Sequence, residues 1–166
     1  EDVYGFWKRE DAGFAGNDNA DVKRFGGSPL WSDYRIDTTV QVGDDPAGHA
    51  GVLLRVTNES DHPDQVSDAL MGYFVAVSGD KLQLFRHNYD SYLLQVQRVK
   101  LPRNVQVPLR IEAVGSSIRV FVDDAAEPAL AYEDPDAFMQ GRVGIRSVLA
   151  EQIVIGDLTV ESIPPE

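Results

Sequence analysis

The chain has no cysteine among its 166 residues. This absence excludes a disulfide-stapled scaffold and a thiolate-bound metal site, and it leaves the cellular compartment open. Long hydrophobic runs are missing as well, because no stretch approaches the roughly 18 apolar residues that a membrane helix needs. We therefore expect a protein that does not insert into a membrane.

Basic residues are scarce. There are 15 Lys and Arg against 27 Asp and Glu, which gives a net charge of −12 at pH 7 and a pI near 4.5. Such a surface repels polyanions, so nucleic acid and anionic membranes are excluded as partners. Uncharged ligands such as sugars meet no such barrier. The hydrophobic content of 43% suits one globular domain with a single core.

The two ends of the chain suggest a module taken from a longer polypeptide. The chain begins at Glu1 without an initiator methionine or a signal-peptide pattern, and Pro164 and Pro165 are typical of a linker. We expect residues 1–163 to form a single module and residues 164–166 to begin a linker.

Alternation of apolar and polar residues is the dominant pattern. In "YRIDTTVQV" (34–42) every second side chain is expected to face the core, and similar stretches recur to the end of the chain. Turn signals separate them, and "VSGDKL" and "VGSSIR" have the form of tight hairpins. No long stretch has a helical period. The pattern predicts an all-β fold, an antiparallel sandwich of two sheets.

The residue patterns of most hydrolases are missing. Glycoside hydrolysis needs two carboxyl groups at a defined separation, about 5 Å in retaining enzymes, and the strand interiors offer few acids. The three histidines suggest no Ser-His-Asp arrangement, since His49 and His62 fall in polar segments expected to be loops. A binding role is therefore favoured over catalysis.

Arg55 interrupts an otherwise apolar strand, "AGVLLRVTN" (50–58), and Arg146 lies in a comparable place in "GRVGIRS". An unpaired guanidinium is costly to bury, so we expect Arg55 on a solvent face. Two interpretations stay open. The arginines could donate hydrogen bonds to sugar hydroxyls, or they could be surface residues paired with carboxylates on neighbouring strands.

The order of motifs resembles a known family. "WSDYRIDTTVQV", "AGVLLRVTN", "MGYFVAVSGDKLQLFRH", "VPLRIEAVGSSIRVFVDD" and "FMQGRVGIRS" follow one another as in the concanavalin-like sandwich modules of bacterial glycoside hydrolases, above all the family-66 carbohydrate-binding modules. The resemblance implies a concanavalin-like jelly roll. It also implies that Arg55 projects into a shallow groove on the concave sheet, with Tyr73 beside it and Arg146 converging on the same area.

A second candidate subsite is the segment "FRHNYDSYLL" (85–94). Arg86, His87, Tyr89 and Tyr92 gather hydrogen-bond donors and stacking rings in and around one turn, as a carbohydrate subsite requires. The alternative is a polar hairpin tip whose tyrosines cover the edge of the core. Trp31, in the W-x-D-Y motif, is interpreted as a packing residue.

Calcium is the candidate cofactor. Modules of the kind resembled often hold a structural Ca²⁺ through carboxylates and backbone carbonyls. The implied ligands are Glu10 and Asp11 near the start and Asp157 near the end, because both termini run side by side in such sandwiches.

These patterns lead to one expected function and two alternatives. We expect a monomeric, non-catalytic carbohydrate-binding module, extracellular or on a bacterial cell surface, whose partners are a glycan and the catalytic domain of the same polypeptide. Tethering would raise the effective concentration of substrate at that domain. The alternatives are a structural sandwich without a ligand and an enzyme resembling the 3-keto-disaccharide hydrolases.

Overall fold

A computed structural model describes the backbone of residues 2–4, 7–10, 13–16, 21–58 and 70–164, and the side chains of residues 23–58 and 70–164. Within these ranges the chain forms strands and turns and no helix, so none of the described segments is a helix able to cross a membrane. The described strands are β1 (Asp2–Tyr4), β2 (Trp7–Glu10), β3 (Gly13–Gly16), β4 (Asp21–Gly26), β5 (Tyr34–Thr57), β6 (Met71–Ser78), β7 (Lys81–Asn88), β8 (Ser91–Arg98), β9 (Gln106–Val114), β10 (Ser117–Val122), β11 (Leu130–Glu133), β12 (Arg142–Ile155) and β13 (Thr159–Ser162).

The strands form two layers that share two long strands. Sheet A has the order β1-β4-β12-β5-β6-β7-β8 and uses the second half of β5 and the first half of β12. Sheet B contains the first half of β5, which pairs with β9 on one side and with β13 and the end of β12 on the other, while β10 and β11 extend it beyond β9. All pairings between these strands are antiparallel. The predicted all-β, two-sheet antiparallel sandwich is confirmed.

The main core lies between the two sheets and follows the alternation of the sequence. On β5, Tyr34, Ile36, Val40 and Val42 are buried, and the residues between them face outward. The facing strands contribute the same period, with Leu109 and Ile111 of β9 among the buried members. Each fully buried aliphatic side chain of this kind stabilises the fold by about 1.5–3 kcal/mol.

The outer face of sheet B carries a row of alternating charges. Glu161, Arg35, Glu112 and Arg119 stand opposite one another on β13, β5, β9 and β10. Arg35 Nη2 lies 2.7 Å from Glu161 Oε2, and Arg119 Nη2 lies 2.9 Å from Glu112 Oε2. Opposite charges directly across strands attract each other, and these side chains remain in contact with solvent. This face is therefore a solvated surface.

The outer face of sheet A is instead largely apolar and buried. Leu53 of β5 and Phe74 of β6 stand opposite each other there, and with Phe25, Val56 and Ala76 they form a second cluster separate from the main core. The sandwich therefore has one polar outer face and one that packs like a core.

Candidate functional site

The candidate ligand residues meet near the turn between β7 and β8 but lie on different sides of sheet A. Tyr73 and Arg86 stand opposite each other on β6 and β7 and face the sandwich interior. His87, the next residue on β7, faces outward, where the guanidinium of Arg146 reaches it. The turn itself carries Tyr89. The predicted convergence of Arg146 with Tyr73 in one groove is therefore not seen, because their side chains lie on opposite sides of sheet A.

The expectation that Arg55 lies on a solvent face is wrong, because its side chain has no exposed surface. Nε donates to Ser32 O at 3.0 Å, and Nη1 donates to Gly115 O at 2.6 Å and to Phe138 O at 2.9 Å. Nη2 pairs with Asp33 Oδ1 at 3.2 Å. In this structure the guanidinium is occupied with holding three chain segments, and it offers a ligand no surface.

A bulge in β5 explains the error. The pairing with β6 shifts register between Leu54 and Thr57, and Arg55 has a φ of 49°. A bulge breaks the two-residue alternation, so the side chain leaves the face that the sequence period assigns to it. The backbone N–H of Arg55 donates to Tyr34 Oη at 2.8 Å, which satisfies it inside the sandwich. Arg55 and Arg146 consequently do not share a surface.

Tyr73 is also buried, and its predicted place in an open groove is wrong. Its hydroxyl donates to Asp134 Oδ2 at 2.6 Å and accepts from the backbone N–H of Phe138 at 3.1 Å. Burial and, after it, the hydrogen bond to the Asp134 carboxylate raise the pKa of Tyr73 to about 12. The phenol therefore stays protonated and ties the segment after β11 to sheet A.

Arg86 stacks on the same segment and keeps 23% of its side chain exposed. Its Nε lies 3.1 Å from Asp134 Oδ2, Nη2 donates to Asp136 O at 2.9 Å, and the guanidinium carbon lies 4.3 Å from the centre of the Phe138 ring. These contacts fix the guanidinium at the surface. Arg86 is the candidate arginine that the structure leaves accessible.

His87 and Arg146 form a contact on the outer face of sheet A. Arg146 Nη1 lies 3.1 Å from His87 Nε2, and His87 Nδ1 lies 3.3 Å from Asp90 O. Because Arg146 can only donate, Nε2 must accept and Nδ1 carries the proton, which makes His87 neutral. Both side chains are buried, at 3% and 1% exposure, so the predicted open concave groove is not seen at these residues.

Aromatic rings surround this contact, a feature that the sequence analysis missed. His49 stacks on Phe85 at 5.7 Å between ring centres, and Phe85 stacks on His87 at 6.5 Å. The Arg146 guanidinium carbon lies 5.4 Å from the centre of Phe74. His49 lies in β5 rather than in the expected loop, and His62 lies outside the described residues. The sequence signal for this feature was that "GYFVAV" (72–77) is apolar on both of its faces, which indicates a strand buried on both sides.

Tyr89 and Tyr92 are the exposed members of the set, at 55% and 54%. Tyr89 has a φ of 58°, and its backbone N–H donates to Leu70 O at 3.0 Å, which holds the turn against the sheet. Tyr92 stands opposite Arg86 in the pairing of β7 with β8. We call Arg86, Tyr89 and Tyr92 the tyrosine rim.

The calcium site stays a prediction. Asp157 is exposed, two residues after the end of β12, and Glu10 lies in β2, which pairs with β3 next to the end of β12. This agrees with the expected approach of the two termini. The side chain of Glu10 and all of Asp11 lie outside the described residues. Among the described side chains, no group of three or more His, Asp or Glu is placed to hold a metal.

The comparisons with known proteins concern the fold. No protein-family model matches the chain, and no curated protein matches it in sequence. Among solved structures, the carbohydrate-binding module CBM66 from Bacillus subtilis superposes with a TM-score of 0.73 at 20% identity, covering 98% of this chain and 94% of that one.

Two further structures share the sandwich. A protein of unknown function with a galectin-like fold from Bacillus subtilis gives a TM-score of 0.66 at 10% identity over 90% of this chain and 81% of that one. The exoplasmic/lumenal domain of VIP36, in its Ca²⁺/Man₃GlcNAc-bound form, gives 0.65 at 12% identity over 90% and 77%. The chain thus has a CBM66-like, galectin- and concanavalin-like fold, as the sequence resemblance implies.

The buried network predicts a large stability cost for losing Arg55. We expect Arg55→Met to lower the free energy of unfolding by about 3 kcal/mol, because three part-buried carbonyl acceptors lose their donor and Asp33 loses its ion pair, keeping only the N–H of Gly115 as a donor. Urea denaturation measures this. The matched control is Arg119→Met, whose exposed ion pair with Glu112 predicts a change within about 0.5 kcal/mol. Similar losses for both variants would contradict the role assigned to Arg55.

The two buried phenols predict a loss of stability at high pH. Burial raises the pKa of both Tyr34 and Tyr73 from 10.0 to about 12. Unfolding then releases a proton above pH 10, so their contribution is complete below pH 10 and declines as pH rises towards 12. Denaturation midpoints between pH 9 and 12 should fall less steeply in Tyr73→Phe than in the wild type. Parallel slopes would show that Tyr73 titrates normally in the folded protein.

Proposed function

We propose that the protein is a carbohydrate-binding module that holds a terminal sugar at the tyrosine rim without cleaving it. The observation that carries this proposal is the pair of exposed tyrosines beside a fixed, partly exposed arginine, at 55%, 54% and 23% exposure. Sugars are bound by aromatic faces that pack on the C–H side of the ring and by charged donors that bridge hydroxyls. The rim offers both kinds of group on one turn.

The rim replaces the concave groove as the proposed place of binding. Arg146 and His87 expose too little surface to hold a sugar, while Arg86, the residue before His87 on β7, belongs to the rim and keeps part of its side chain exposed. His87 supports the turn from below through its contact with Asp90 O at 3.3 Å. Arg146 and His87 therefore act here as positioning residues for Tyr89 and Asp90.

Arg86 is held in place before a sugar binds, which favours binding. Arg86 is held by Asp134 and by the carbonyl of Asp136, and Asp134 is in turn held by Tyr73. A guanidinium fixed before binding loses little conformational entropy when it meets a hydroxyl pair. The fold similarity adds support, because one neighbour is named a carbohydrate-binding module and another was solved with Man₃GlcNAc.

The wider setting belongs to the same proposal. The module would be part of an extracellular or cell-surface bacterial glycoside hydrolase and would act as a monomer that tethers the catalytic domain to its glycan. A furanose-containing glycan such as a fructan is the first ligand to test, as the family resemblance implies. A structural Ca²⁺ near Asp157 is an additional proposal that calcium titration of the full chain can examine.

The test is glycan binding by the wild type and two rim variants. A panel of fructans, arabinans, galactans and host-type glycans, followed by calorimetry on the best ligand, should find binding that Tyr89→Ala and Tyr92→Ala each weaken by about tenfold, the size expected for loss of a stacked ring. Val105→Ala is the control. Val105 is 46% exposed and adjoins the opposite end of the sandwich, where Arg103 pairs with Asp80, so binding should be unchanged.

Three results would oppose the proposal in different ways. Binding that survives both tyrosine variants would put the sugar elsewhere on the fold. Absence of binding to every glycan would favour the structural sandwich. Turnover of a 3-keto-disaccharide by the purified wild-type chain would favour the enzyme, whose chemistry requires a pair of carboxylates rather than a rim of tyrosines.

A further inference from the structure

A crevice lies at the edge of the sandwich opposite the tyrosine rim. It opens between β4 and β12 of sheet A and the segment of sheet B that includes β13, with a volume of about 280 Å³. Because β4 and β8 lie towards opposite edges of sheet A, the crevice and the rim are separate surfaces. We call it the Trp31 crevice, after the residue at its mouth; Gly26, Leu158 and Val160 also line it.

The walls of the Trp31 crevice are mainly apolar. Val143 and Ile145 of β12 belong to the main core and line the crevice together with Leu158. Trp31 is 38% exposed and packs edge-on against Tyr34 at 6.5 Å between ring centres, so the ring is fixed while part of it faces solvent. A fixed, partly exposed tryptophan at the mouth of an apolar crevice is suited to contact with another ring.

The absence of a side chain at Gly26 keeps the crevice open, although a side chain would fit at this position. Its φ lies outside the left-handed region, and a Cβ built on it meets no atom of the described residues within 4 Å. The neighbouring lining glycines differ, since a Cβ would approach Trp31 to 2.2 Å at Gly27 and Arg24 O to 2.4 Å at Gly144. Glycine in a strand often marks a place where a ligand approaches the backbone, and Gly26, the last residue of β4, leaves room for such an approach.

The size and charge of the crevice define the class of ligand. A cavity of about 150 Å³ can hold a benzene ring, so 280 Å³ accommodates one ring or two fused rings. Among the described lining residues Arg24 is the one that is ionisable, and the other ten are apolar or aromatic residues and glycines, which favours an uncharged ligand. We infer that the Trp31 crevice is a binding site for an uncharged one- or two-ring aromatic group, a ring that contacts Trp31 and lies over Gly26.

The experiment uses indole and phenol as probes on the full chain. Calorimetry and the chemical shift of the Trp31 indole N–H should reveal saturable binding in the millimolar range or tighter. Gly26→Val places a side chain in the crevice and should weaken binding by about tenfold or more, with a Tm equal to or above that of the wild type. Gly26→Ala should have a smaller effect in the same direction.

The control is Thr159→Val. Thr159 is exposed and precedes Val160 on β13, but it stands opposite Asp37, whose side chain lies on the outer face of sheet B. Binding retained in this variant and weakened in the Gly26 variants supports the site. Absence of saturable binding in the wild type, or binding indifferent to the Gly26 variants, overturns it, and Gly26→Ala decides alone if Gly26→Val does not fold. Tyr89→Ala should leave indole binding unchanged, so this site and the tyrosine rim fail or succeed independently.

Discussion

The hydrogen bonds of the buried Arg55 guanidinium hold together the end of the sandwich that carries the tyrosine rim. A charge removed from water is tolerated only where donors and counter-charge are fully satisfied. Here the side chain joins Ser32 and Asp33 before β5, Gly115 in the β9–β10 turn and Phe138 after β11. These segments come from distant parts of the chain, and one side chain holds them against sheet A.

The position of Arg86 in the tyrosine rim depends on the same hydrogen bonds. The carbonyl of Phe138 accepts from Arg55, its N–H donates to Tyr73, and its ring lies under Arg86. The accessible guanidinium of the rim is therefore connected to the buried one through a single residue. This connection explains how a turn of exposed side chains can be preorganised without a helix or a disulfide in the described part of the chain.

Much of the architecture could be predicted from the alternation of apolar and polar residues. The positions of the site residues could not, because the chain departs from this alternation near Arg55. The alternation in β5 placed Ile36 correctly, and the predicted tight hairpins are confirmed, with Ser78 opposite Lys81 and Val114 opposite Ser117. Arg55 was misplaced because a bulge, which has no period, turns it inward. Burial of the outer face of sheet A likewise follows from tertiary packing, which alternation alone does not reveal.

Binding of a glycan at the tyrosine rim is tested most directly by an NMR titration of the isotopically labelled protein with the fructan or other glycan that binds best. Binding at the tyrosine rim predicts that amide shift changes concentrate in residues 86–92 and 134–139, with little change elsewhere. Changes centred on the charged row of sheet B, at Arg35, Glu112 and Glu161, would contradict the proposed site. So would a titration that reaches saturation without moving the amides of Tyr89 and Tyr92.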